Sequence, residues 1–386
     1  MEFAFTEEQQ MIRETAEQFL ADNSDSAAVR SAMVTESGFD PALWQKIAGE
    51  MCWTAIHIPE SCGGLGLGYV EVVALMEQMG RRLLCAPYFS SICLGANALL
   101  VAAGAEQQQR WLPAIADGSC RATLAWCDAS GRWDAGGVSA TFARAGEDFV
   151  LNGEYRYVVD GHSADLLLVV ARAADGGAGQ GLAFFALPAA TAGVRRDWLP
   201  TLDQTRKLAA VHLEGVRLPA SARLDGTGED ATAALSRVLA LATIALAAEQ
   251  AGGAQQILEL AVAYTKERQQ FGRPIASFQA IKHKAADMML KAEAARSAVY
   301  YAACVASEAL AGGTHDGELA AAASLVKAYC SETYFFNAGS ALQMHGGVGF
   351  TWEYDVHLYF KRARASESFL GDAPEHRERI AVELGL

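Results

Sequence analysis

The chain has 386 residues, 52% of them hydrophobic, and 31 Lys and Arg against 45 Asp and Glu give it a net charge of −14. Such a length calls for two or three packed units of roughly 100–200 residues. The apolar share excludes general disorder, and the acidic balance argues against a nucleic-acid partner. A membrane span needs ~20 continuous apolar residues. The best apolar stretch, Val238 to Ala248, is interrupted by Thr243 and stops at Glu249, so no span is expected. The opening residues MEFAFTEE have neither a basic nor an apolar leader pattern, and no secretory signal is expected. The eight cysteines show no CxxC and no Cys/His ligand spacing. They read as small buried apolar residues in a reducing cytoplasm, with neither a metal site nor a disulfide framework.

The first 120 residues read as helical. Phe5, Met11, Ile12, Ala16, Phe19 and Leu20 recur at helical spacing behind a capped start at Thr6. A second helix holds Trp44, Ile47, Ala48 and Met51. Further helices are predicted around Val70–Met79 and Gln107–Ala116, with a glycine-rich turn at Pro59 to Gly68. From Cys120 to Leu224 the period changes to two. Strands are predicted at Ala122–Cys127, Val138–Ala145, Phe149–Val159, Leu166–Ala171, Leu182–Leu187, Val194–Leu199 and Ala209–Leu213. Asn152-Gly153 signals a hairpin or tight turn, and Ala173–Gly181 a surface loop. After Gly226-Thr227-Gly228 long helices return, at Ala231–Gln270, Phe278–Leu310, Gly317–Ala341 and Asp355–Phe369.

Two glycine runs invite a ligand. Gly63 to Gly68 follows Ile58-Pro59-Glu60 rather than a parallel strand and sits in no βαβ unit, so a structural turn is favoured over a phosphate loop. His345 to Phe350 lies between helices, where glycines permit close backbone approach, either to a ligand or to a packed helix.

Taken in order, several segments resemble the acyl-CoA dehydrogenase family. Tyr264-Thr265-Lys266-Glu267-Arg268-Gln269-Gln270-Phe271-Gly272-Arg273-Pro274-Ile275, followed by Phe278-Gln279, His283 and Ala286-Asp287-Met288, is similar to its C-terminal signature. Gln343 through Glu353 is similar to its second signature. Phe5 to Gln9, Ile58 through Gly66, and Leu151-Asn152-Gly153 are similar to patterns earlier in the family, so the resemblance spans essentially the whole chain. It implies an α+β fold with an N-terminal helical domain (1–119), a middle β-barrel or sandwich domain (120–228) and a C-terminal four-helix bundle (229–386). It also implies FAD, an acyl-CoA substrate, a tetramer with each FAD across a subunit interface, and an electron-transfer flavoprotein as acceptor. By the same resemblance Arg268, Phe271, Gln279, Gln343, Gly346 and Gly347 reach FAD held mainly by a neighbouring subunit. Arg268 can pair with pyrophosphate, Phe271 can meet a ring, the two amides can bond adenine or phosphate, and the glycines can offer backbone N–H groups. The competing reading is an interhelical salt bridge at Arg268 and core packing at Phe271.

The reaction implied by the family removes a proton from the substrate α-carbon and a hydride from the β-carbon, and it needs a carboxylate base. That base, normally a Glu in a Glu-Gly-Thr turn, falls by a gapless count on Leu370-Gly371-Asp372, so a leucine stands in its place. A second family position falls on Ala242-Thr243. Glu249 lies about two turns further on, roughly 10 Å at ~1.5 Å per residue. The family's flavin-lining segments become Cys127 through Asp134 and Tyr157-Val158-Val159, and Val159 lacks the hydroxyl of the usual Thr. The implied catalytic residue is therefore unknown, with Asp372, Glu367 and Asp128 as candidate substitutes.

The losses fall on one half of the implied site. This pattern resembles the subunit without a base in a heteromeric dehydrogenase, of the kind known in bacterial steroid side-chain and pimeloyl-CoA degradation, completed by a homologous partner subunit and holding two FAD per α2β2 assembly. A self-sufficient enzyme with a displaced base, a flavin enzyme of the same fold such as a nitroalkane oxidase, and a non-catalytic scaffold are the alternatives. Arg362, Arg364, Arg377 and Arg379 read either as a solvated helix face or as contacts to a CoA phosphate or partner.

Overall fold

A computed structural model describes residues 5–174, 181–224, 231–312 and 317–386. Most of the glycine-rich loop reading at 173–181, and the expected domain boundary at 228/229, lie outside them. Packing groups the chain into two compact units. One comprises Met1–Ser31, Tyr69–Leu84 and Thr243–Leu386, the other Ala32–Gly68 and Cys85–Ala242. The N-terminal stretch expected as one domain therefore contributes to both.

The first unit is helical. Helix α1 (Glu7–Asn23) opens with a full capping box: Gln9 N–H donates to Thr6 Oγ1 at 3.2 Å, and the Thr6 N–H donates to Gln9 Oε1 at 3.1 Å. Two orphan donors of the first turn are thereby satisfied. A short α2 (Ser26–Met33) follows. Helix α4 (Tyr69–Arg81) lies against α7 (Thr232–Glu267), whose C-terminal part belongs to this unit. A Cβ at Gly80 would come within 2.0 Å of Glu249 O, and one at Gly252 within 1.8 Å of Glu77 O. The two helices thus touch backbone to backbone, which only glycine permits. Helices α8 (Gln279–Leu310), α9 (Leu319–His345), α10 (Val356–Ser368) and α11 (Ala373–Glu383) complete the unit, with α8, α10 and α11 all packed on α9.

Helix α7 is long and apolar enough to cross a membrane by length and composition, which a count of uninterrupted apolar residues had not signalled. In its most apolar window 61% of residues are buried within the protein, so most of that window is covered by the protein itself.

The second unit carries a seven-stranded sheet. Its strands are β1 (Ala122–Ala125), β2 (Thr141–Ala145), β3 (Asp148–Val159), β4 (Leu166–Ala173), β5 (Leu182–Pro188), β6 (Val194–Leu199) and β7 (Leu208–Pro219). Strand β4 pairs antiparallel with β5 along one edge. On the other edge it meets β1 and then β2, both parallel. The remaining order is β2-β3-β7-β6, all antiparallel. Phe142, Phe149 and Phe185 meet edge to face in the core, with centroids 5.1–5.8 Å apart. The helices of this unit are α3 (Pro41–Gln45), α5 (Asn97–Ala102), which continues a buried π-helical segment Phe89–Ala96, and α6 (Ala105–Ala116).

Asn152-Gly153 is not a hairpin turn. It lies inside β3 at a register shift against β7, and Asn152 Oδ1 accepts the Gly215 N–H at 2.7 Å. The β2–β3 turn is instead Gly146-Glu147, with Gly146 at φ +71°. The Gly63–Gly68 run is a structural turn. The N–H groups of Gly63, Gly64, Leu65, Gly66 and Leu67 donate to carbonyls of Glu60, Pro59, Ala55, Ile58 and Ile56 respectively, leaving those five with nothing to offer a phosphate. All eight cysteines are free thiols.

Candidate functional site

The last turn of α7 hands the chain to a tight hairpin. The Arg268 N–H still bonds Tyr264 O at 2.9 Å, and Arg268 O then accepts the Ile275 N–H at 2.8 Å, closing the hairpin's base. Two short strands follow, β8 (Gln269–Gln270) and β9 (Arg273–Pro274), joined by Phe271-Gly272. Both loop residues have positive φ, +55° and +77°. A two-residue hairpin loop matched to strand twist demands this, and it is a strained state for a phenylalanine. The ring is held out in solvent, 91% exposed, with the Phe278 ring edge-on at 6.1 Å as its aromatic neighbour and the Arg273 guanidinium over Phe278 at 4.1 Å. Core packing at Phe271 is excluded.

The Arg268 side chain is exposed and has no hydrogen bond or ion pair among the described residues, so it is no interhelical salt bridge. Gln279 opens α8 at an N-terminus lacking any side-chain cap, and its exposed amide bonds no described residue. Gln343, near the end of α9, is exposed in the same way. Gly346 ends α9 at φ +64° and ψ −145°, a combination essentially restricted to glycine. A Cβ at Gly346 or Gly347 would meet nothing within 4 Å, so this backbone faces open space.

A ring stack joins the end of α7 to the end of α9. Tyr264 of α7 lies flat on His345 of α9, centroids 4.0 Å apart and planes at 17°, and the Tyr264 hydroxyl donates to His345 O at 3.4 Å. An unpaired cation, an exposed ring, two free amides and an open glycine backbone are the groups that hold an anionic, ring-bearing ligand. They fit a dinucleotide such as FAD. Arg273, Phe278, Tyr264 and His345 carry no assigned role in the sequence reading. The Phe-Gly pair between two short polar runs is the signal that marks the hairpin.

The turn expected to carry the base is built differently. Leu370 is 2% exposed, at φ +64°, and Gly371 follows at φ +102°. His376 Nε2 lies 3.0 Å from Leu370 O. Lys327, fully buried on α9, donates to Gly371 O at 2.8 Å, Glu367 O at 2.9 Å and Ser331 Oγ at 2.9 Å. Three acceptors suit an ammonium, while burial pulls the Lys327 pKa down to about 7. Burial likewise lowers His376 to about 3, the ring remaining neutral under the turn. This turn is a clamped structural element with an apolar side chain at its centre.

The candidate substitute bases are each engaged. Asp372 is the N-cap of α11 and accepts the Glu375 N–H at 2.9 Å. Glu367 is ion-paired with Arg364. Glu249 is buried against Arg362 at 2.9 Å. In the β unit, Asp128 accepts the Ser130 N–H at 2.8 Å. Burial pushes its carboxyl up, but bonds from Ser130 and Ser139 outweigh this and hold it below the usual range. Arg362 is buried rather than on a solvated face, while Arg377 and Arg379 pair with Glu332 and Glu375.

The two segments aligned with the family's flavin-lining stretches are adjacent: the Arg156 N–H bonds Cys127 O at 2.8 Å. Tyr157 sits at φ +59° in a register shift of β3, its ring 6.0 Å from Trp133, which is in turn 5.9 Å from Trp126. Val158 and Val159 are buried in the core and offer no donor side chain.

Comparison with known proteins gives concordant matches. A family model described as acyl-CoA dehydrogenase, N-terminal domain, matches residues 6–119, and one described as acyl-CoA dehydrogenase, C-terminal domain, matches residues 231–385. The chain is 34% identical over 378 residues to acyl-CoA dehydrogenase IpdE2 of Mycobacterium tuberculosis, covering 98% of each chain. It is 32% identical over 380 residues to IpdE2 of Mycolicibacterium smegmatis, covering 98% of this chain and 99% of the relative. Among solved structures it is similar to a chain of the ChsE4–ChsE5 complex from Mycobacterium tuberculosis. The TM-score is 0.88 at 28% identity, covering 100% of this chain and 99% of that one.

Proposed function

This chain belongs to the acyl-CoA dehydrogenase family of oxidoreductases, and from that premise we propose that it is the subunit without a base in a heteromeric, FAD-dependent dehydrogenase acting on an acyl-CoA thioester. The observation that carries the reading is a contrast. Leu370 is buried and clamped where the family places its carboxylate, while Arg268 stands exposed and unpaired. The similarity to a chain of a two-component complex, ChsE4–ChsE5, supports a homologous partner. Similarity to the protein described as a steroid ACAD, Tcur3481–Tcur3483, at 29% identity and TM-score 0.85 supports a steroid-derived acyl substrate.

In this reading FAD supplies the hydride acceptor, and the partner supplies the carboxylate that takes the α-proton. This chain's own contribution is binding and orientation. The Arg268 guanidinium neutralises pyrophosphate, the Gln279 and Gln343 amides bond adenine or phosphate oxygens, and Phe271 packs against a ring and excludes water. Gly346 and Gly347 let backbone N–H groups approach. The redox partner of the assembled enzyme would be an electron-transfer flavoprotein. Similarity to the caffeyl-CoA reductase–Etf complex subunit CarC of Acetobacterium woodii, 28% identical over 376 residues, supports an electron-transfer flavoprotein as a redox partner.

The test is FAD stoichiometry with native mass. The chain is expressed alone and with an acyl-CoA dehydrogenase homologue that keeps the Glu-Gly-Thr turn. No FAD alone and one FAD per heterodimer is the expected result. A homotetramer holding one FAD per chain and oxidising an acyl-CoA unaided would overturn it.

A further inference from the structure

The Tyr264–His345 stack joins two elements that each end in an exposed segment. Residues 266–274, the last two of α7 and the hairpin after it, are exposed throughout, and so are Gly346 and Gly347 after α9. Helix ends fray because their terminal groups lack intrahelical partners, so something must fix these two ends relative to each other. Arg268 hangs from Tyr264 directly, through its N–H to Tyr264 O at 2.9 Å. Gly346 follows His345 in the chain, and its own N–H returns to Leu342 O. His345 Nδ1 bonds Ala341 O at 2.8 Å, which makes Nδ1 the protonated nitrogen and fixes the ring plane. Burial lowers the His345 pKa, so the ring is neutral near pH 7. Tyr354 closes the arrangement edge-on, 5.8 Å from each of the two rings.

We propose that Tyr264 and His345 are positioning residues that clamp the end of α7 to the end of α9. The clamp sets the spacing between the Arg268 guanidinium and the Gly346–Gly347 backbone to that required by a dinucleotide. This rests on the reading of that surface as an FAD contact. Neither side chain needs to touch the ligand. The clamp acts by removing the freedom of two chain ends that would otherwise be fixed only on binding.

The experiment is a double-mutant cycle in the assembled heteromer, read by FAD titration of the apo-protein, with native mass and Tm measured in parallel. Tyr264→Leu and His345→Leu are each expected to weaken FAD binding by about tenfold or more, and the double variant by scarcely more than either, because both remove one coupling. Ring-retaining Tyr264→Phe and His345→Phe are expected to bind within about threefold of the parent. A general loss of folding would move Tm without that split between ring-retaining and ring-less variants. Unchanged binding in the Leu variants, additive losses, or Phe variants as weak as Leu variants would each overturn the clamp. If the parent heteromer takes up no FAD, the functional reading fails by itself. The clamp is then judged by amide hydrogen exchange, which should quicken at Arg268–Gly272 in Tyr264→Leu and remain slow in Tyr264→Phe. Equal exchange in the two variants would overturn it.

Discussion

Phe271 and Leu370, both in the C-terminal part of the helical unit, are non-glycine residues held at positive φ, +55° and +64°. At Phe271 the strain holds a ring outward on the hairpin that follows the exposed Arg268, in the same helical unit as the exposed Gln279, Gln343 and the open Gly346–Gly347 backbone. At Leu370 the same backbone state turns the side chain inward, and Lys327 and His376 secure the neighbouring carbonyls from beneath. The side chains of Arg268, Gln279 and Gln343 have no partner among the described residues, while in the second region Glu367 and Asp372 each have one. A strained conformation by itself therefore does not mark a binding surface. What separates the two is whether the chain satisfies its own polar groups.

The sharpest way to break that comparison is Arg268→Ala. An unpaired exposed side chain contributes nothing to folding, so the variant should unfold at the parent's Tm. In the heteromer its loss should weaken FAD binding by about 3 kcal/mol, roughly 100-fold, the order expected when one partner of a charge-assisted contact is removed. A drop in Tm with unchanged FAD affinity would place Arg268 with the structural residues instead.

The clamped turn should reveal itself through pH. The His376 pKa is depressed to about 3 in the folded state, against about 6.5 for an unperturbed imidazole. Between those values the unfolded chain binds the extra proton, so stability is fully present above pH 6.5 and declines as pH falls toward 3. The slope approaches about 1.4 kcal/mol per pH unit. His376→Gln, which can still donate toward Leu370 O, should flatten this part of the profile in acid-denaturation curves. Identical slopes in parent and variant would mean that His376 is not held neutral beneath the turn.

Asp372 offers a smaller and more selective test. As the N-cap of α11, its replacement by Ala should cost about 1 kcal/mol of stability, and replacement by Asn far less. Neither change should alter turnover in the heteromer. Loss of turnover in Asp372→Asn, which keeps the cap but cannot take a proton, would reinstate Asp372 as a displaced base.

Much of this was legible in the sequence because the signals are local. The helical–β–helical order follows from periodicity, and the Thr6 capping box and the limits of β6 and α8 follow from short-range patterns. The buried π-helical segment Phe89–Ala96 was not legible, since all of its residues are buried and no face alternates with another. Asn152-Gly153 misled because the Asn152 side chain serves a bond across the sheet rather than a turn. The C-terminal helix reading to Gln270 overran α7 by three residues, because the hairpin that ends it is closed by the Ile275–Arg268 bond. At the candidate site the residue types were readable. The Tyr264–His345 stack, the Lys327 clamp and the inward Leu370 depend on helices far apart in sequence, and no local pattern encodes them.

The gentlest change probes the strain itself. Phe271→Gly keeps the two-residue loop but removes the steric penalty for positive φ, which for a non-glycine residue is about 1 kcal/mol. Against that stands the larger chain entropy of glycine in the unfolded state, worth somewhat less than 1 kcal/mol. The ring is 91% exposed, so its removal costs little packing. The chain alone should therefore hold its Tm or gain slightly, while the heteromer should lose FAD affinity through the missing ring. Phe271→Ala separates the two effects. It removes the ring yet keeps the strain, so it should match Phe271→Gly in FAD affinity and fall below it in Tm. If both variants lower Tm together and leave FAD binding intact, Phe271 belongs with Leu370 as an element of structure, and the contrast between the two strained positions disappears.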